Sequence, residues 1–105
     1  MELRVAAPGN HLTDADVDRI RDDLAKIDRR FAGQENVFVE VRIGGGDAGA
    51  SSYQVTLKLE YGRNLLVAKA ENQAMGQAVR RARDEILRQI NDRSRRGHSS
   101  FTKNR

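Results

Sequence analysis

Tyr53-Gln54-Val55-Thr56-Leu57-Lys58-Leu59-Glu60-Tyr61 alternates apolar and polar residues without a break, the period of a strand that buries one face and wets the other. Gln54, Thr56, Lys58 and Glu60 share the wet face, so the sheet built on this strand is covered on one side only. Just after it, Gly62-Arg63-Asn64 is a tight hairpin signal that returns the chain as a strand over Leu65 to Ala70. Just before it, beyond the glycine-rich loop Gly44-Gly45-Gly46-Asp47-Ala48-Gly49, Val37, Val39, Val41 and Ile43 alternate with Phe38, Glu40 and Arg42 in another one-sided strand. Glu2 to Ala7 alternates in the same way and ends on the turn Pro8-Gly9-Asn10, which adds a short first strand.

Two segments have the helical period instead. Thr13 can cap a helix, with Asp16 three residues on as a capping-box variant and Leu12 and Val17 as a hydrophobic staple. Val17, Ile20, Leu24, Ile27 and Phe31 then make one buried stripe, which Gly33 closes. Acids fall early (Asp14, Asp16, Asp18) and bases late (Lys26, Arg29, Arg30), as the helix dipole favours. A last helix is expected from about Asn72 into the Arg93 to Arg96 region, with Met75, Val79, Ala82, Ile86 and Ile90 facing inward. The fold expected is α+β with the order β-α-β-β-β-α: a four-stranded mixed sheet with two helices packed on one face. The first two strands are joined by a crossover helix and should be parallel, the rest antiparallel.

The chain has 105 residues, enough for one core and too few for two. One domain over residues 1–96 is expected, with 97–105 as a basic, disordered tail. The composition is 38% hydrophobic and 32% charged, with no cysteine and no run of apolar residues long enough to span a membrane. With no secretory signal and no disulfide framework, a cytoplasmic location is expected.

Enzyme chemistry finds little support. His11 and His98 are the only histidines; they are far apart, so neither a general base with a fixed partner nor a metal cluster is indicated, and no catalytic residue, cofactor or metal is assigned. The triple glycine precedes a strand rather than a helix and no Gly-Lys-Ser/Thr follows it, so it reads as a hairpin and not a phosphate loop. The acid pairs Asp22-Asp23 and Asp84-Glu85 lie among arginines, where solvated ion pairs account for them.

Charge placement is more informative. Residues 1–71 hold 10 Lys and Arg against 12 Asp and Glu, whereas residues 72–105 hold 9 against 3. At about 100° per residue, Arg80, Arg81, Arg88 and Arg95 lie opposite the inner stripe of the last helix, and Arg19, Lys26, Arg29 and Arg30 point away from the core on the first. Arginine forks on adjacent helices suit a phosphate backbone. Few aromatics are free to stack on bases, so recognition by shape and charge is expected. Arg93, Arg95, Arg96, Lys103 and Arg105, with no acid after Asp92, extend the cationic character and could follow RNA.

Leu12-Thr13 opening the first helix, Leu24-Ala25-Lys26-Ile27-Asp28-Arg29 near its end, the strand Leu65-Leu66-Val67-Ala68, and the set Met75, Ala78-Val79, Ile86, Arg88-Gln89 and Ile90 together resemble the ribosomal subunit interface, or hibernation-promoting, factors over about residues 3 to 93. The resemblance implies the same β-α-β-β-β-α fold and a function. Such proteins bind the small ribosomal subunit in the channel used by mRNA and tRNA, with basic helix residues on ribosomal RNA, and hold whole ribosomes inactive. Lys26, Arg29 and Arg88 match frequently basic family positions; Arg30, Arg80, Arg81, Arg95 and Arg96 join the expected RNA-binding set from local geometry and charge. Asp23 and Glu85 depart from the family, standing where a basic residue is common, and the extra arginines at 80, 81 and 83 are the expected compensation. The second domain that long members use to pair ribosomes is not in this sequence, so a short form is expected, with no membrane and no small-molecule substrate among its partners. A free-standing double-stranded RNA binder and a regulatory protein that docks through the open sheet face are the competing readings; Gln54, Lys58 and Glu60 weigh against the second.

Overall fold

The computed structural model describes the backbone of residues 1–32, 34–45 and 52–103 and the side chains of 1–32, 34–45 and 52–93. In chain order the elements are β1 (Glu2–Ala6), α1 (Asp14–Asp23), α2 (Ala25–Arg30), β2 (Val37–Gly45), β3 (Tyr53–Tyr61), β4 (Asn64–Asn72) and α3 (Met75–Lys103). The strands form one mixed sheet in the order β1-β2-β3-β4. β1 runs parallel to β2, and β2, β3 and β4 are antiparallel, as the crossover and the hairpin signals require.

Register turns the alternating pattern into a core. Val39 pairs with Leu59 and Leu59 with Leu66; Val41 pairs with Leu57 and Leu57 with Ala68. All six are buried, along with Ile20, Leu24, Ile27, Val79, Ala82 and Ile86 from the helices. The other sheet face keeps Glu40, Lys58 and Lys69 at its surface. Truncating a core residue such as Leu57 or Ile86 to Ala would cost about 2–5 kcal/mol through lost contacts and the cavity left behind. Between β3 and β4 the Tyr61↔Asn64 pair closes a two-residue turn, and Gly62 there has φ +58°, a conformation that costs glycine least.

The capping box at the start of α1 forms as expected: Thr13 Oγ1 accepts from the Asp16 amide at 3.1 Å, and Asp16 accepts from the Thr13 amide at 3.0 Å. The single helix expected over residues 13–31 is instead two. At Leu24 (φ −90°, ψ 0°) the ladder tightens, and the Ile27 amide donates to the Leu24 carbonyl at 3.0 Å. The Asp23 carbonyl accepts from Arg83 Nη1 of α3, also at 3.0 Å. A side chain entering the ladder from a neighbouring helix is a recognised cause of such a break. The apolar stripe crosses it intact, because Ile20, Leu24, Ile27 and Phe31 all stay buried.

At the other end, α3 extends to Lys103, past the expected stop near Arg96 and through most of the segment expected to be a disordered tail; no proline interrupts it. Gly33, most of the glycine-rich loop and the side chains of residues 94–105, Arg95 and Arg96 included, lie outside the described residues.

Candidate nucleic-acid interface

α1 and α2 lie beside α3 on the covered face of the sheet, and the cations of interest are spread over the outer surfaces of α2 and α3. On α2, Lys26, Arg29 and Arg30 are exposed, and none of the three is in an ion pair among the described residues. The alternation that buries Leu24 and Ile27 forces this outcome, since the positions between and after them must face water.

On α3, Arg80, Arg83 and Arg88 are each held by an acid. Arg88 is held by two acids: Nε and Nη2 grip the two Glu85 oxygens at 2.9 and 2.6 Å, and Nη1 reaches Asp92 at 2.8 Å. The hydrogen bond from Arg88, aided by one from Gln89, holds the Glu85 carboxyl down at about 2, far below its usual value, and Glu85 in turn pushes Arg88 upward. Arg80 turns inward toward α1 and meets the Asp23 carboxylate at 3.5 Å. It lies over Gly76, where an added Cβ would come within 3.2 Å of its Nη1. Arg83 is buried, with 9% of its surface exposed; besides the Asp23 carbonyl it holds Asp84 at 2.8 Å.

The single cationic ridge expected on α3 is thus divided. Arg80 and Arg83 face the α1–α2 junction. Arg81, exposed, lies on the opposite flank in a groove along β4 with Lys69, Glu71, Glu85 and Gln89. Of the three arginines expected to compensate, 80, 81 and 83, only Arg81 is exposed and outside an ion pair among the described residues. Asp23, expected as part of a solvated pair, is largely enclosed: its Oδ2 is buried and makes no hydrogen bond.

One grouping was not foreseen. Arg30 at the end of α2, Tyr61 and Asn64 at the β3–β4 turn, and Arg93 on α3 line one cleft, and Arg93 Nη1 donates to Asn64 Oδ1 at 2.7 Å. The periodicity that places Ile90 inward leaves Arg93, three residues on, at the margin of the same flank. Its meeting with Arg30 depends on tertiary packing that no local pattern encodes.

Among the described residues no group of three or more His, Cys, Asp or Glu could hold a metal, and no described helix is long and apolar enough to cross a membrane. The fold and its surface therefore define a small basic α+β domain, with unpaired cations on the short helix that precedes β2 and, among the described residues, both acid-held and unpaired cations on the long C-terminal one. Residues 4–98 match the model of the family described as Sigma 54 modulation protein / S30EA ribosomal protein. The chain belongs to that family of ribosome-associated, non-enzymatic factors.

The solved structures similar to this chain include two of the same fold. The N-terminal domain of Protein Y from Thermus thermophilus is 20% identical with a TM-score of 0.72, the match covering 86% of this chain and 96% of that one. A ribosomal subunit interface protein from Coxiella burnetii is 12% identical with the same TM-score, covering 90% of this chain and 98% of that one. At such identities the likeness speaks for the fold. No curated protein sequence matches the chain.

Proposed function

We propose that this protein is a cytoplasmic translation inhibitor that binds small-subunit ribosomal RNA in the channel used by mRNA and tRNA and holds ribosomes in an inactive, hibernating state, as in stress or stationary phase. The observation that carries the reading is the family match across residues 4–98; the Thermus thermophilus Protein Y domain and the Coxiella burnetii ribosomal subunit interface protein share the domain fold. Surface chemistry supports it: Lys26, Arg29 and Arg30 are exposed and outside ion pairs among the described residues, so phosphate oxygens can approach them without displacing a carboxylate. Arg81 is exposed and adds to the basic surface, Arg95 and Arg96 belong to the RNA-binding set in this reading, and Arg80 and Arg88 act mainly through the acids they hold. Residues 1–96 form the binding domain in this reading, and 97–105 follow the RNA as a basic extension.

The test is co-sedimentation of the protein with small subunits, whole ribosomes and a plain RNA duplex over a salt series. Binding to the first two with the duplex ignored is the expected result. Equal binding to all three would replace this reading with that of a general double-stranded RNA binder, and binding to none would remove it.

A further inference from the structure

Three clefts of the described surface differ in charge. The one on the open sheet face has Glu2, Glu40 and Glu60 against Arg4 and Lys58. The groove along β4 balances Glu71 and Glu85 against Lys69 and Arg81. The third, of about 360 Å³, lies between the end of α2, the β3–β4 turn and α3, and is lined by Arg30, Phe31, Tyr61, Asn64, Ile90 and Arg93. It has two guanidinium groups and no carboxylate.

Its remaining chemistry is also one-sided. Arg93 occupies the Asn64 side-chain oxygen, and the Asn64 amide nitrogen is a further donor at the cleft. The carbonyls of Asp28, Arg29 and Phe31 at the end of α2 accept in turn from the amides of Phe31, Ala32 and Gln34. Phe31 is buried, with its ring 4.8 Å from that of Tyr61 at an interplanar angle of 44°, so Tyr61, half-buried, is braced from behind. A cleft rich in donors, with two forked cations beside an anchored aromatic ring and an aliphatic wall, suits a ligand that is anionic at one end and flat and apolar at the other. A phosphate alone would leave Tyr61 and Ile90 without a role, and a nucleotide in a duplex keeps its base stacked inside the helix.

We infer that this cleft binds one unstacked nucleotide of a single-stranded RNA segment, with its phosphate between Arg30 and Arg93 and its base against Tyr61. The inference rests on the RNA-binding reading above and adds to it a single-strand site distinct from the surface of Lys26 and Arg29. Stacking a base on one aromatic ring stabilises such contacts enough to give about a tenfold preference over RNA that offers no free base.

The experiment is titration of the full chain, followed by backbone amide shifts, with a six-uridine RNA oligonucleotide, a short RNA duplex and inorganic phosphate. The oligonucleotide is expected to shift residues 30–31, 61–64 and 90–93 and to bind about tenfold tighter than the duplex. Tyr61→Phe should retain that preference, and Tyr61→Leu and the pair Arg30→Ala/Arg93→Ala should lose it. Shifts confined to other surfaces, or the same response to inorganic phosphate, would overturn the inference, and both are read on the unaltered protein whether or not a variant folds. Small-subunit sedimentation separates the two readings. Subunit binding with no oligonucleotide shifts in the cleft removes the nucleotide site alone, whereas cleft shifts without subunit binding support that site and remove the ribosomal role.

Discussion

α2 and the central turns of α3 are both dense in basic residues at the surface, yet they present charge differently. On α2, Lys26, Arg29 and Arg30 stand exposed and outside ion pairs among the described residues. On α3, Arg80, Arg83 and Arg88 each contact a carboxylate within 3.5 Å. A formal charge that is already paired must exchange one anion for another when phosphate arrives, and the net gain is small. Availability, more than the number of arginines, sets an electrostatic footprint, and among these residues the unpaired cations are Lys26, Arg29 and Arg30 on the short helix and Arg81 on the long one.

The sharpest way to break this comparison is charge reversal on each side. Lys26→Glu/Arg29→Glu/Arg30→Glu is expected to weaken small-subunit binding about 100-fold at low salt and to lower the slope of log affinity against log salt by about 2–3, whereas Arg88→Ala should change affinity less than about threefold. Equal losses in a sedimentation assay would show that the acids on α3 do not shield its arginines. A smaller effect concerns what the buried arginine does instead. Arg83→Met removes the donor to the Asp23 carbonyl and is expected to cost about 1–3 kcal/mol in urea unfolding, by leaving a partly buried acceptor unmet. If stability were unchanged, Arg83 would not be what holds the break at Leu24. Freeing Arg88 sharpens the contrast from the other direction: Glu85→Gln/Asp92→Asn should raise small-subunit affinity about threefold to tenfold, through added net positive charge and released guanidinium donors. No gain would place Arg88 away from the bound RNA.

Much of this was legible in the sequence, and where legibility stops has a physical cause. Period-two runs marked β2 and β3, the turn at Gly62 marked the hairpin, and Thr13 with Asp16 marked the start of α1 by a bond pattern that is local. Outward placement of Lys26, Arg29 and Arg30 followed from helix geometry and the buried stripe. What could not be read was set by contacts between distant residues. The break at Leu24 needs Arg83, which is 60 residues away from Asp23 along the chain. The inward turn of Arg80 needs Asp23 beside it, although a helical wheel places Arg80 outward. Arg30, Asn64 and Arg93 come together only because α2, the β3–β4 turn and α3 share one end of the domain. The pairing of Arg88 with Glu85 and Asp92 is local, at i−3 and i+4, and that spacing was available as a sign that Arg88 is neutralised.

The smallest expected effect is also the most specific check on that neutralised pair. With its carboxyl held at about 2 by Arg88 and Gln89, Glu85 binds a proton less readily in the folded chain than in the unfolded one. Its contribution to stability is therefore fully present above the unfolded value near 4.5 and is lost as pH falls from there through about 2. Asp16, lowered by the Thr13 amide and hydroxyl, acts in the same direction and is unaffected by a change at position 85. Glu85→Gln should thus be less stable than the wild type by the same margin at pH 7 and pH 5, and that gap should close between pH 4.5 and 2. Urea midpoints at pH 7, 5 and 3 measure it, and a gap that closed already between pH 7 and 5 would contradict the depressed carboxyl. Because Glu85 stays ionised throughout the neutral and mildly acidic range, Arg88 stays occupied there too. Any rise in ribosome affinity of the wild type between pH 7 and 5 must then come from a group other than this pair.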